Sequence, residues 1–250
     1  MEASVNTKQR RTAAHVRIEE HLRHLIADGG GRNAPLPTEQ QLAEAFGVSR
    51  MTARQAYQRL AGSGVIVRYP SRGSFVAPKI VEDLTEWGRA GFTDRWAEQG
   101  YRVELRILAH TLRPAGAGLA EEFRVDERSP LTYLERLRLV DGLPLTLDRI
   151  FMPAAAFDIF TPEELARSPL VALGPSRGLA VTQAEMEISA RSADPAEAAP
   201  LGIRAGDAVI VRETRDTADG GELLILELSV YPAGRVTYRM RVRLGLAGGG

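Results

Sequence analysis

The sequence predicts a two-domain α+β chain, a small helical domain with a β-hairpin followed by an antiparallel-sheet domain. Three observations predict it. Residues 36–77 carry two short helical apolar faces and then a strand–turn–strand pattern. From Arg102 onward, strand-like runs dominate and only short helical stretches interrupt them, the pattern of an α+β fold with a mainly antiparallel sheet. The charge is also split. Residues 1–80 hold 12 Lys+Arg against 6 Asp+Glu, whereas residues 81–250 hold 20 against 26, so a net of +6 faces a net of −6. One end of the chain is therefore suited to a polyanion and the other is not.

Composition excludes several function classes. There is no cysteine, which removes disulfides, thiolate catalysis and Cys-based zinc sites. No run of eighteen apolar residues is present, so no membrane span is expected. The first fourteen residues, MEASVNTKQRRTAA, have basic groups but no apolar stretch, so no secretory signal is read and a cytoplasmic location is expected.

Residues 1–12 read as a flexible basic arm, either an inert tail or a segment that touches phosphates. From Ala13 to Asp28 the residues Ile18, Leu22, Leu25 and Ile26 form one helical stripe, closed by Gly29-Gly30-Gly31. His15, His21 and His24 lie on this helix, but no carboxylate arrangement supports a metal, and they read as surface residues. Thr38 with Gln41 three residues later is a capping box at the start of the next helix. Gly47 is placed to end that helix in the left-handed conformation, and Ser49 to cap the one that follows. Val65-Ile66-Val67 and Phe75-Val76 flank a turn at Pro70-Ser71-Arg72-Gly73. Helix, turn, helix and hairpin together predict a winged helix-turn-helix, which sets its second helix in a DNA groove.

That second helix begins Ser49-Arg50-Met51-Thr52-Ala53-Arg54. Its apolar side, Ala53, Ala56, Tyr57 and Leu60, faces the core, so Met51, Gln55 and Gln58 point away and Arg54 lies on the flank. Arg50 and Thr52 sit in the first turn, where the helix end itself attracts phosphate. Arginine there can fork onto guanine, and Thr or Gln can reach other base edges. Arg72-Gly73-Ser74 closes the wing, with Gly73 free to take a positive φ and Arg72 able to enter a minor groove.

The second domain is expected to carry strands at Val103–Leu112, Leu131–Val140, Leu143–Met152, Val181–Ala190, Ala208–Asp216 and Leu223–Tyr231. Helices are expected at Ala115–Phe123, Thr161–Arg167 and Pro195–Leu201. Asp141-Gly142 between two alternating runs signals a hairpin. Arg136 and Arg138, two apart, share one face. They can form an anion fork, pair with nearby acids or face solvent, and the residues alone leave all three open. With a plain two-residue turn, Asp148 lies opposite Glu135. It reaches the arginine face only if a bulge shifts the parity.

Residues 36–77 resemble the DNA-binding domain of the GntR family of bacterial transcription regulators. The match rests on Leu36-Pro37-Thr38-Glu39, Gly47-Val48-Ser49-Arg50-Met51-Thr52, Arg54-Gln55-Ala56, Leu60, Gly64 and Arg72-Gly73-Ser74-Phe75-Val76. The resemblance implies that Arg50 and Arg54 contact operator bases and that Gly73 enters the minor groove. Gln40 stands where the family usually has arginine, so a contact there is shortened and uncharged. Residues 80–244 resemble the UTRA ligand-sensing domain of the HutC subgroup, whose fold is like that of chorismate lyase. Glu135-Arg136-Leu137-Arg138, the Asp-Gly turn, Pro144, Asp148, Pro153, Leu201-Gly202, Ser229-Val230-Tyr231 and Arg235 follow that pattern.

This second resemblance implies a homodimer that binds a small effector and thereby changes its affinity for an inverted-repeat operator. It places Arg136, Arg138, Asp148, Ser168, Arg212 and Tyr231 at the effector, with no cofactor and no metal. The family's glutamate six residues before Tyr231 is Ile225 here, and its arginine in the preceding strand is Thr214. A face that loses polar partners points to a less hydroxylated, anionic effector. The expected organisation is an arm at 1–12, a winged helix-turn-helix at 13–77 and a linker at 78–83. An effector-binding and dimerisation domain follows at 84–244, and a flexible tail at 245–250. The expected function is a DNA-binding repressor, not an enzyme. The rival readings are a ligand-free dimerisation domain and a chorismate-lyase-like enzyme, for which no catalytic constellation stands out.

Overall fold

The computed structural model describes residues 13–28, 31, 34–69, 72–86, 92–165 and 174–242. The expected arm, the expected tail, Ser168 and the turn residues Pro70-Ser71 lie outside the described residues. The chain divides into two compact units, Met1–Ala77 and Pro78–Gly250.

In the first unit, α1 (Ala14–Asp28), α2 (Glu39–Phe46) and α3 (Arg50–Gly62) pack around Ile18, Leu22, Leu42, Ala53, Tyr57 and Leu60, all buried. The stripe expected on α1 is narrower than its sequence suggests. Leu25 is 40 % exposed, and Ile26 packs against the core instead. The caps form as their chemistry requires. Gln41 N–H donates to Thr38 Oγ1, Thr38 N–H donates to Gln41 Oε1, and Gly47 adopts φ +61°. The hairpin pairs β1 (Ile66–Tyr69) with β2 (Gly73–Val76), with Val67 opposite Phe75. Residues 34–36 extend it, because Leu36 N–H donates to Ser74 O and Val76 N–H donates to Ala34 O, both at 2.9 Å. The Tyr57 hydroxyl, buried in the core, donates to Pro37 O and ties α3 to the start of α2.

The second unit is built on a six-stranded antiparallel sheet. Its strands are β4 (Val103–Pro114), β5 (Pro130–Val140), β6 (Leu143–Pro153), β7 (Gln183–Ser192), β8 (Ala208–Thr217) and β9 (Leu223–Pro232). Their order is β4-β5-β6-β9-β8-β7. One face carries Leu137, Leu139, Leu147, Val209, Val211 and Val230, and Ala198 and Leu201 of α7 (Pro195–Leu201) cover it. The other face has apolar residues at both ends and charge between them. At one end Leu134, Ile150, Met152 and Ile225 pack under Phe160, Leu165 and Leu179. At the other end Val140, Leu145 and Tyr231 pack against Trp96 of α4 (Phe92–Glu98).

Two strands were not legible in advance. β3 (Ile80–Asp83) and β10 (Val236–Arg239) form a separate parallel pair, with Val236 opposite Ile80 and Tyr238 opposite Glu82. Residues 80–83, expected to belong to a linker, are therefore structured within the second unit, and Ile80 is fully buried there. They escaped notice because a four-residue parallel strand has no hairpin partner nearby to announce it. Helix α5 (Gly116–Phe123) begins one residue later than expected, and α6 (Pro162–Leu165) is the part of the expected Thr161–Arg167 helix that falls among the described residues.

Candidate functional site

Two sites emerge, one in each unit. In the first, the apolar side of α3 is committed to the core, so its other side is presented outward. Met51 is 68 % exposed, and Arg54, Gln55 and Gln58 are exposed beside it. Ser49 caps the helix, accepting from Thr52 N–H at 3.2 Å, and its Oγ lies 2.9 Å from Thr52 Oγ1. Both hydroxyls are thereby held at the positive end of the helix dipole. Gly73 takes φ +102°, a conformation other residues rarely adopt, and a Cβ would meet nothing within 4 Å, so glycine is needed there for its backbone rather than for space.

Between the start of α2, the start of α3 and the wing lies an open groove of about 510 Å³, lined by Glu39, Gln40, Arg50, Arg68, Arg72 and Ser74 among others. Two partners in it were missed by sequence reasoning. Glu39 Oε1 lies 2.5 Å from Arg68 Nη2, and Glu39 Oε2 lies 3.5 Å from Arg50 Nε. One carboxylate thus holds two arginines toward the same groove. Gln40 donates instead to Glu44 Oε1 at 2.6 Å, along α2.

In the second unit, the register decides which side chains meet. The β5–β6 ladder shifts between Arg138 and Leu139, because Leu139 pairs with Pro144 but Arg138 pairs with Thr146. Leu145 is the extra residue of a bulge. The plain hairpin pairing is therefore not the one formed. Asp148 stands opposite Arg136, and Glu135 stands opposite Arg149 with an ion pair of 3.1 Å. One row now crosses four strands, Arg136, Asp148, Ser229 and Arg212, all essentially buried.

The row is closely bonded. Arg138 Nε lies 2.7 Å from Asp148 Oδ2, an ion contact without hydrogen-bond alignment, and Arg138 Nη2 donates to Glu227 Oε1 at 3.3 Å. Arg212 donates to Glu82 at 2.9 Å, to Ser229 Oγ at 2.9 Å and to Glu227 at 3.2 Å. The Tyr231 hydroxyl donates to Glu82 Oε1 at 3.0 Å, and Thr146 and Ser229 hydroxyls both donate to Asp148 Oδ1. Burial pushes the Glu82 carboxyl up, against the pull of Arg212 and Arg138. For Glu227 burial acts the same way, but Arg212, Arg138 and Arg136 outweigh it and hold the carboxyl low.

Arg136 differs from its neighbours. It is 1 % exposed, and its one hydrogen bond among the described residues runs from Nη1 to Leu165 O at 3.3 Å. Its Nε is buried without a partner, and it makes no ion pair within 4 Å among the described residues. Burial and the adjacent Arg138 charge both disfavour its protonated form.

Of the six expected effector residues, Arg138, Asp148, Arg212 and Tyr231 thus belong to one bonded network, Arg136 stands in the same row without a bond to it among the described residues, and Ser168 lies outside the described residues. The expectation that this face lacks polar partners is overturned. Glu227, two residues along the same face from Ile225, supplies a carboxylate, and Thr214 and Asp216 add buried oxygens that have no hydrogen-bond partner among the described residues. Glu227 and Ser229 had a readable signal, since they are the alternating polar residues of an otherwise apolar strand. Glu82 had none, being 130 residues from Arg212 and 149 from Tyr231.

Comparison with known proteins agrees with both units. Residues 14–76 match the model of the bacterial regulatory proteins of the gntR family, and residues 98–237 match that of the UTRA domain. The chain belongs to the GntR family of regulators and carries a UTRA domain. It is 26 % identical to the HTH-type transcriptional repressor NagR of Bacillus subtilis over 92 % of this chain and 95 % of that one. It is 28 % identical to the HTH-type transcriptional repressor PhnF of Mycolicibacterium smegmatis over 91 % of this chain and 92 % of that one. The crystal structure of PhnF superposes with a TM-score of 0.60 at 27 % identity, covering 91 % of this chain and all of that chain. This GntR-family chain is accordingly a DNA-binding transcription regulator with an effector-binding domain. The enzyme reading falls away, because the relatives are regulators. No helix among the described residues is long and apolar enough to cross a membrane.

Proposed function

We propose that this regulator is a repressor that acts as a homodimer on an inverted-repeat operator, controlled by a small anionic effector bound over Arg136. Two winged units on a symmetric dimer would place their recognition helices about one helical turn apart, roughly 34–36 Å. Arg50, Arg54 and Gln55 read bases, Ser49 and Thr52 hold phosphate at the end of α3, and Arg72, Gly73 and Ser74 set the wing in the minor groove. Gln40 makes at most a short neutral contact. The effector lies against the face of Arg136, Arg138, Asp148, Arg212 and Tyr231, with Ser168 as a further contact.

The observation that carries the anionic reading is Arg136. Its neighbours Arg138 and Arg212 are each matched by carboxylates, whereas Arg136 is a buried cation with no ion pair among the described residues. A buried charge is costly unless paired, so an incoming anion gains what this site lacks. Thermal shift against a panel of small anions tests it. Stabilisation by some anions, lost in Arg136→Ala, is expected. A panel that leaves wild type and variant unmoved overturns the reading.

A further inference from the structure

The chain crosses from one unit to the other in a very short span. Ala77 N–H donates to Val65 O at 3.0 Å within the first unit, and Ile80 N–H donates to Arg235 O at 2.9 Å within the second. Only Pro78 and Lys79 lie between those two anchors. The second anchor is β3, a four-residue strand whose one strand partner among the described residues is β10. A two-stranded pair this short is marginal by itself. Ordering its backbone costs more than burying Ile80 returns, so further contacts are needed to hold it.

Glu82 supplies them. Its side chain is fully buried, and its two oxygens take hydrogen bonds from Arg212 and from Tyr231. Those donors belong to the face already assigned to the effector. A carboxylate on the connecting strand therefore occupies, from inside the protein, the kind of position an anionic ligand would take.

We infer that Glu82 is a tethered counter-ion that an anionic effector displaces from Arg212, loosening β3 and lengthening the connector to the DNA-binding unit. The inference rests on the anionic reading of the effector. Ligand and carboxylate cannot share the same guanidinium protons, and the ligand shifts the equilibrium because it binds the displaced arrangement better. Four freed residues add up to about 13–14 Å of reach. That slack changes the spacing the two winged units can hold, which gives effector binding a route to the operator.

Inorganic phosphate is the probe, with the full chain and two variants, Glu82→Gln and Glu82→Asp. Glu82→Gln removes the competing charge while Glu227 and Ser229 still serve Arg212, so phosphate affinity is expected to rise about tenfold. Glu82→Asp, shorter but still charged, is expected to fall between. Hydrogen exchange at residues 80–83 should quicken at least tenfold when wild type is saturated with phosphate, and should already be fast in Glu82→Gln without it. Exchange across β5 and β6 should not quicken. Phosphate binding by Glu82→Gln alone also supports the inference, since the wild-type carboxylate then fills the site outright. Equal affinity in wild type and Glu82→Gln, or exchange at 80–83 unmoved in wild type that has bound phosphate, overturns the inference and leaves the anionic effector standing. Phosphate binding to none of the three proteins, with equal exchange at 80–83 in all, overturns the inference, and the anion panel then decides whether the anionic reading falls with it.

Discussion

Arg54 illustrates how far residue chemistry reaches. It is exposed on the outward side of α3, away from the core residues Ala53 and Tyr57, so its loss removes the proposed DNA contact and no packing. Arg54→Ala is expected to weaken specific operator binding by about 1–3 kcal/mol, roughly five- to 150-fold, while the melting temperature stays put. Gel-shift titration beside a thermal melt checks both halves. Asp216 makes a different residue-scale argument. Burial, with Glu227 nearby, pushes its carboxyl up to about 7. The folded chain then keeps a proton that the unfolded chain releases between about pH 4 and 7. This contribution to stability is full below about pH 4 and fades as pH rises to 7, by at most about 4 kcal/mol. Asp216→Asn should therefore flatten urea-unfolding stability across that window and raise it at pH 8. A variant as pH-sensitive as wild type would contradict this.

At the scale of elements, the bulge at Leu145 decides more than any single charge. The run Leu143, Leu145, Leu147 reads as one stripe in a regular strand. The extra residue splits it: Leu147 packs under α7, while Leu145 joins Ile80, Trp96 and Val236 on the other side. Leu145→Ala is expected to cost about 2–5 kcal/mol, lowering the unfolding transition of the second unit and leaving the first unchanged. Calorimetry that resolves the two transitions tests it. β7 is the second telling element. It ends the sheet order, its residues are largely exposed on both faces, and Ile188 at its centre is 44 % exposed. Antiparallel pairing of two copies about Ile188 would set Glu185 of each opposite Arg191 of the other. Such an edge invites a second strand. If β7 is where the proposed homodimer joins, Ile188→Lys should yield monomers in sedimentation analysis; unchanged dimers would place the interface elsewhere.

For the whole molecule, the question is how two units with opposite charge influence one another. The +6 of residues 1–80 suits DNA, and the second unit buries part of its charge in internal pairs such as Arg138 with Asp148 and Arg212 with Glu82. What connects them is a two-residue segment between firm anchors at Ala77 and Ile80. A tether that short transmits a change in its anchor, whereas a long flexible one would absorb it. Inserting Gly-Ser-Gly-Ser between Pro78 and Lys79 should leave anion-induced stabilisation and non-specific DNA binding intact. It should cut the anion's effect on operator affinity severalfold. Fluorescence anisotropy with and without the anion measures that coupling, and full coupling in the insertion variant would refute the tether argument.

The parts ruled by local chemistry are legible in the residues alone. The caps at Thr38, Gly47 and Ser49, the wing glycine, the outward Arg54 and the six long strands all follow from spacings within a few residues. The arginine face was also visible, since Arg136 and Arg138 sit two apart on a strong hairpin. What those arginines meet depends on how distant strands pair. A one-residue bulge reversed the parity that a plain turn implies, and so set Asp148 opposite Arg136 rather than opposite Glu135. Glu82 arrived from the far end of the chain, on a strand too short to announce itself. Local propensity depends on near neighbours, whereas a buried charge is tolerated only where distant segments converge to pair it.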